Sequence, residues 1–134
     1  MDPNLKPHFL DLGKTHFEAN QFEAAIVPLD KYLMIDSGNV GANFLLGQCY
    51  QETEDFDNAL HFYARTIELD PNHTDALIRS ARIYRLKSDP ENALAMLVRL
   101  IAIDPKNVEA HFLSGLCHLD LRDNDAALVS FIET

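Results

Sequence analysis

The chain has 134 residues, of which 47% are hydrophobic, enough for a single domain with a continuous core. Its formal net charge of −10 has the wrong sign for binding a phosphate backbone, so we expect no nucleic-acid partner. No charged-then-apolar leader opens the chain and no apolar run approaches the ~18 residues of a membrane span, so we expect no membrane insertion and a reducing, cytoplasmic location.

One pattern recurs along the chain with a period of 34 residues, which is typical of a repeat array. Small residues occupy the eighth place of each repeat (Gly13, Gly47, Ala81 and Gly115) and the twentieth (Ala25, Ala59, Ala93 and Ala127). The twenty-fourth place is large and apolar: Leu29, Tyr63, Leu97 and Phe131. We therefore expect a lead-in at 1–5 and an array at 6–134, with repeats at 6–39, 40–73 and 74–107 and a partial repeat at 108–134.

The first repeat predicts two helices. Pro7 suits the first turn of a helix that runs to about Glu18, before a turn at residues 19–20. The second helix, near 22–35, contains Pro28, which removes one backbone hydrogen bond and costs about 3 kcal/mol where nothing compensates. We expect a tolerated bend there.

The second repeat has the clearest helical periodicity. Apolar residues follow the spacing of two amphipathic helices separated at Glu54-Asp55. Pro71 ends the second of these, because it lacks an amide hydrogen and disfavours helical angles at Asp70. We expect Gly47 and Ala59 to lie where the two helix axes approach most closely.

The third and fourth repeats give similar signals. The third turns at residues 88–90, where Asp89 can cap a helix and Pro90 suits its first turn. The second helix of this repeat ends at Asp104-Pro105. At the start of the repeat, Asn72-His73-Thr74 is read as a helix-start turn rather than a glycosylation site. The fourth repeat opens at Val108, with its second helix from about residue 124.

The chain resembles the tetratricopeptide repeat family, most closely in its second repeat. The residues that match that family's pattern are Leu46-Gly47, Tyr50, Phe56, Ala59, Tyr63 and Pro71. The resemblance implies an all-α fold, a right-handed superhelical solenoid of antiparallel helix pairs. The chain departs from the pattern at the fourth place, which is never tryptophan, at residues 37–39, where the first repeat lacks a terminal proline, and at Ser80-Ala81.

The resemblance also implies a peptide-binding groove lined by the first helix of each repeat. In the family, ligand contacts lie chiefly at the second, fifth, ninth and twelfth places. The fifth places here are Leu10, Phe44, Ile78 and Phe112; the ninth places are Lys14, Gln48, Arg82 and Leu116; the twelfth places are Phe17, Gln51, Arg85 and Leu119. We take these residues as candidate site residues. An alternative is that the fifth-place row packs between neighbouring repeats, since an apolar stripe is more often core than site.

Charge suggests the chemistry of the ligand. The second repeat has a net charge of −5, whereas the third has +2. Helical spacing places Arg82 and Arg85 beside Ile78, and a guanidinium group can pair a carboxylate at two points. We therefore expect a partner segment with acidic residues beside apolar anchors that reach Phe44 and Phe112.

One branch of the resembled family binds the C-terminal tail of heat-shock chaperones through a clamp of Lys, Asn, Asn, Lys and Arg. The corresponding residues here are Leu10, Lys14, Leu45, Asp75 and Arg79. Only Arg79 matches, which argues against a chaperone-tail partner. Arg79 stays among the candidate groove residues.

We expect no catalysis, cofactor or metal. His111, Cys117 and His118 form the densest group of potential ligands, but the histidines fall at places where other repeats have core residues, and the zinc spacings are not met. Cys49 and Cys117 occupy the same tenth place two repeats apart, too far to bond, and are expected to be buried. Neither a nucleophile elbow nor a phosphate-binding loop is present.

The sequence therefore predicts a non-catalytic scaffold that binds a partner segment in the groove. Alternatives are an assembly or oligomerisation module and a regulatory appendage of a larger protein. The fourth repeat stops at its twenty-seventh place without a polar capping helix, so we expect either a piece of a longer array or a second chain that covers Leu128, Phe131 and Ile132.

Overall fold

A computed structural model describes residues 5–133, apart from the side chain of residue 124. These residues form eight α-helices and no β-strand. The helices are α1 (Lys6–Glu18), α2 (Phe22–Ile35), α3 (Val40–Glu52), α4 (Phe56–Leu69), α5 (Thr74–Leu86), α6 (Pro90–Ile103), α7 (Val108–Asp120) and α8 (Asn124–Ile132). Each odd-numbered helix packs against the even-numbered helix that follows it. Of the expected array, residues 1–4 of the lead-in and the last residue, 134, lie outside the described residues.

The first helix of each pair begins where the 34-residue frame opens, at residues 6, 40, 74 and 108. Side-chain caps explain several of these boundaries. Asn39, His73 and Asn107 accept a hydrogen bond from the backbone N–H three residues on, at the starts of α3, α5 and α7. Asp89 does the same at the start of α6, as predicted, and Pro90 occupies the first helical turn.

The turn inside each helix pair uses a left-handed residue at the fifteenth place. Asn20, Glu54, Ser88 and Arg122 have φ between 60° and 62°. The next residue then donates its N–H back into the preceding helix, for example Asp55 to the Tyr50 carbonyl at 2.9 Å. None of the four is glycine, so the sequence gives no obvious sign of this conformation.

In repeats one, two and four, the glycine at the eighth place faces the large residue at the twenty-fourth place of the same repeat. A Cβ added at Gly47 would stand 2.7 Å from the Tyr63 ring, and one at Gly13 would stand 2.6 Å from Leu29. The same contact joins Gly115 to Phe131. Gly47 is therefore a close contact between α3 and α4, and the side chain that fills the space beside it is Tyr63.

The structure divides into two compact units, and the boundary along the chain lies between Pro71 and Asn72. In the first unit, α1–α4, the core includes Ala25, Leu29, Leu46 and Cys49. Pro28 lies inside α2 and is buried. Repeat one lacks a closing proline and is held instead by polar contacts: Lys6 Nζ lies 3.1 Å from Asp36 Oδ2, and Tyr32 donates to the same carboxylate at 3.2 Å.

The second unit contains α5–α8. Its fully buried side chains include Ile83, Leu97, Leu100 and Cys117. Helix α7 contacts both α5 and α6. This packing brings the first helices of the third and fourth repeats side by side, and it positions the charged groups described below.

Candidate protein-interaction surface

In the first unit, the candidate residues of repeat one lie together at one pocket. Leu10, Lys14 and Phe17 on α1 line a pocket of about 460 Å³. Glu18 and four residues at the beginning of α3 complete its wall: Asn39, Gly41, Ala42 and Leu45. Leu10, Phe17 and Leu45 are half-buried and pack against the core of the unit, whereas Lys14 is exposed. The pocket therefore has an apolar floor and one cationic side chain. We call it the Lys14 pocket.

The candidate residues of repeat two are partly used by their own helix pair. The Phe44 ring lies 5.7 Å from the Tyr63 ring, and the Tyr63 hydroxyl donates to Gln51 Oε1 at 2.5 Å. Phe44, Gln48 and Gln51 are all half-buried. Each therefore exposes only part of its surface to a partner.

In the second unit, the two arginines that were expected to meet an acidic ligand already bind carboxylates of this chain. Arg82 on α5 donates from Nε to Glu109 Oε1 at 2.7 Å, and Arg85 donates to Asp120 Oδ2 at 2.9 Å. Both acids lie on α7. Ile78 is only 7% exposed, so it offers little surface to a ligand.

A second pocket of about 550 Å³ lies beside these ion pairs. Its lining residues are Arg82, Arg85, Leu86, Ser88, Pro90, Leu113 and Asp120. The remaining candidate residues of this unit differ in exposure: Arg79 and Leu116 are half-buried, whereas Phe112 and Leu119 are exposed. The Phe112 ring also lies 5.8 Å from the Phe131 ring.

Sequence reasoning missed Glu109 and Asp120 as partners of the arginines. The signal was present in the repeat frame, since these acids stand at the second and thirteenth places of repeat four. The net charge of each repeat does not reveal these pairs, because they join single residues 27 and 35 positions apart.

A family model described as "Tetratricopeptide repeat" matches residues 16–82, half of the chain. The chain belongs to the tetratricopeptide repeat family. A model described as "Anaphase-promoting complex, cyclosome, subunit 3" also matches residues 52–134 of this tetratricopeptide-repeat chain. No curated protein was found to match it in sequence.

Several solved structures share the fold. A crystal structure of MamA is 25% identical, with a TM-score of 0.91 over 98% of this chain and 77% of that one. MamA from Desulfovibrio magneticus RS-1 is 16% identical, with a TM-score of 0.87 over 96% of this chain and 72% of that one. YrrB, described as a TPR protein with an unusual peptide-binding site, is 19% identical, with a TM-score of 0.88 over 98% of this chain and 68% of that one. The predicted all-α tetratricopeptide-repeat solenoid is confirmed, and its fold is that of a protein-interaction scaffold.

Two histidines, His111 and His118, were predicted to be core residues, and the structure confirms this for His111. His111 is buried, and its Nε2 lies 2.7 Å from the Pro105 carbonyl oxygen. Because a carbonyl only accepts, Nε2 carries the proton. Its Nδ1 lies 3.4 Å from Glu133 Oε2. His118 is half-buried.

The two thiols are buried and free. Burial raises the pKa of Cys49 to about 12 and that of Cys117 to about 11. Within residues 5–133, no group of three or more His, Cys, Asp or Glu side chains is arranged to hold a metal ion. No helix of the described part is long and apolar enough to cross a membrane.

Proposed function

We propose that this chain binds a segment of a partner protein on the faces of its first helices, as a non-catalytic scaffold. The observation that carries the proposal is the Lys14 pocket, where Leu10, Lys14 and Phe17 meet around about 460 Å³. These three residues are the fifth, ninth and twelfth places of repeat one. The family resemblance assigns ligand contacts to those places, and the volume lies within the roughly 300–1,000 Å³ typical of ligand pockets.

The other candidate residues extend the proposed surface within each unit. In the first unit they are Phe44, Gln48 and Gln51, and in the second they are Ile78, Arg79, Arg82, Arg85, Phe112, Leu116 and Leu119. Phe112 is 47% exposed and Leu119 is 44% exposed, so both supply apolar surface for anchors of the partner. A peptide with apolar anchors suits these side chains better than a highly charged one.

A displayed library of random dodecapeptides, panned against the immobilised chain, tests the proposal. We expect enriched peptides whose binding weakens with Leu10→Ala in the first unit and with Phe112→Ala in the second. Matched controls are Met34→Ala on α2 and Val98→Ala on α6, which remove exposed apolar groups from second helices. Failure to enrich any peptide, or loss of binding only in the two controls, overturns the proposal.

A second function, assembly through the last repeat, has one observation in its favour. Leu128 is 61% exposed and Ile132 is 73% exposed on α8. In repeats two and three, Leu60 and Leu94 stand at the place of Leu128 and are half-buried. Exposed apolar surface of this kind is typical of an interaction site.

Light scattering over a concentration series separates the two functions. A groove binder stays monomeric without its partner. An assembly module shows a mass that rises with concentration, and the double substitution Leu128→Ser and Ile132→Ser suppresses that rise.

A further inference from the structure

The ion pair between Arg82 and Glu109 in the second unit joins the ninth place of one repeat to the second place of the next. Arg82 is the ninth place of repeat three, and Glu109 is the second place of repeat four, 27 residues later. The arginine side chain on α5 reaches the first turn of α7. In this unit, the positive charge of Arg82 is therefore neutralised by Glu109 of the same chain.

The same two places in the first unit hold a lysine and a glycine. Lys14 is the ninth place of repeat one, and Gly41 is the second place of repeat two, again 27 residues apart. Both residues line the Lys14 pocket. Glycine supplies no carboxylate, and Lys14 forms no ion pair with any residue between 5 and 133.

Nothing in the fold requires glycine at residue 41. No described glycine has a positive φ, and a Cβ at Gly41 would meet only Asn39 Oδ1, at an ordinary 3.4 Å. Glycine inside a helix costs up to about 1 kcal/mol relative to alanine. Its presence in the pocket wall leaves room for a ligand to approach the backbone closely.

We propose that the Lys14 ammonium group binds a glutamate side chain of the partner segment, in the position that Glu109 occupies beside Arg82. A neighbouring apolar residue of the partner packs on Leu10, Phe17 and Leu45. This inference rests on the proposed function and deepens it: the acid-binding cation is Lys14 in the first unit, not the arginines of the second.

The charged residues around the Lys14 pocket favour a partner segment with a single acidic residue. Lys14 is the one base among its eight lining residues, and Glu18 is the one acid. The chain as a whole carries a net charge of −10, which repels an acidic run. Attraction by Lys14 acts within about one Debye length, ~8 Å at physiological salt. One glutamate beside an apolar residue therefore fits, whereas consecutive acids do not.

The experiment uses two displayed dodecapeptide libraries that differ at one position. Both have apolar residues around a fixed central residue, which is glutamate in one library and glutamine in the other, and both are displayed without a free C-terminus. We expect enrichment from the glutamate library on the full chain. Replacing glutamate by glutamine in an enriched peptide, or Lys14→Met in the protein, weakens binding by up to about fivefold, as expected for an exposed ion pair.

The decisive variant is Gly41→Glu, with Gly41→Gln as its matched control. Glutamate at residue 41 places a carboxylate beside Lys14 from within the chain, and it favours the first turn of α3, so the variant stays folded. We expect Gly41→Glu to weaken peptide binding at least as much as Lys14→Met. Gly41→Gln, of the same size, keeps more of the binding.

The outcomes distinguish a failure of the Lys14 inference from a failure of the proposed function. Peptides that bind equally to the wild type, Lys14→Met and Gly41→Glu overturn the role of Lys14 and leave the proposed function standing. Enrichment only from a third library with a free C-terminus overturns the choice of a side-chain carboxylate. If no library is enriched, both the proposed function and this inference are wrong.

Discussion

At the residue scale, repeats one, two and four each have a glycine that faces a large side chain. Gly47 has no side chain because the Tyr63 ring occupies the space where a Cβ would stand, 2.7 Å away. Tyr63 is fully buried, and its hydroxyl is bound to Gln51. The ring therefore cannot move aside without losing both packing and a hydrogen bond.

Gly47→Leu is expected to lower the free energy of unfolding by about 1–3 kcal/mol or more, because overpacking forces α3 and α4 apart. Gly38→Ala is the control, since no atom lies within 4 Å of the Cβ that it adds. Urea denaturation measures both. Equal stability of the two variants would show that the eighth place is not a close contact.

A substitution at one of the left-handed turn residues is expected to raise stability instead of lowering it. Glu54 has a φ of 61°, which costs a residue with a side chain about 1–2 kcal/mol. Glu54→Gly removes this cost and is expected to raise the melting temperature. Ala64→Gly, on the exposed face of α4, is expected to lower it by the helix propensity of glycine. A fall in both variants contradicts the assigned turn.

Burial of the two thiols predicts a pH dependence of stability. The pKa of each is raised above its ordinary value of 9.0 in the native state, so the unfolded chain loses these protons first as the pH rises. The free energy of unfolding should therefore decline above pH 9. The double substitution of Cys49 and Cys117 by alanine should decline less over the same range. Equal slopes would contradict the burial of the thiols.

At the element scale, two ion pairs connect the first helices of the second unit. Arg82 and Arg85 on α5 bind Glu109 and Asp120 on α7. All four side chains are more than one-third exposed, so water and salt screen each pair. Each pair is therefore expected to make only a modest contribution to stability.

Arg82→Met and Arg85→Met together should lower the free energy of unfolding by about 0.4–2 kcal/mol, from two pairs of about 0.2–1 kcal/mol each. High salt should shrink this difference, because it screens exposed charges. Arg99→Met, on the exposed face of α6, is the control. A loss that salt leaves unchanged would mean that packing, not charge, joins the two helices.

The helices themselves were largely predictable from the sequence. Proline stops, caps and a 34-residue period gave the starts of α3, α5, α6 and α7, because each of these signals acts locally on the backbone. The contacts between helices were less accessible. That Gly47 faces Tyr63, and that Arg82 binds Glu109, depends on how helices are packed, which periodicity alone does not specify.

The candidate site was predictable only in part for the same reason. Leu10, Lys14 and Phe17 were chosen from the repeat frame, and they line one pocket. The charged half of the expected ligand site was placed on Arg82 and Arg85 because their carboxylate partners had not been foreseen. The sequence alone gives no sign that Gly41 matters, because its role is inferred from comparison with Glu109 at the same place of repeat four.

At the scale of the whole molecule, both the first helices and the second helices of the repeats expose apolar side chains. The first helices carry the Lys14 pocket and the exposed Phe112 and Leu119. The second helices also expose apolar groups, among them Met34 and Val98. Exposure alone therefore does not identify the binding surface. The proposal assigns it to the first helices because of their places in the 34-residue repeat.

The most direct test is an NMR titration of the labelled chain with a peptide selected from the displayed library. We expect shifts concentrated at Leu10, Lys14, Phe17 and Gly41 or at other first-helix positions, with little change at the second-helix residue Met34. Shifts confined to the second helices, or to Leu128 and Ile132 on α8, would contradict binding on the first-helix faces and favour assembly instead.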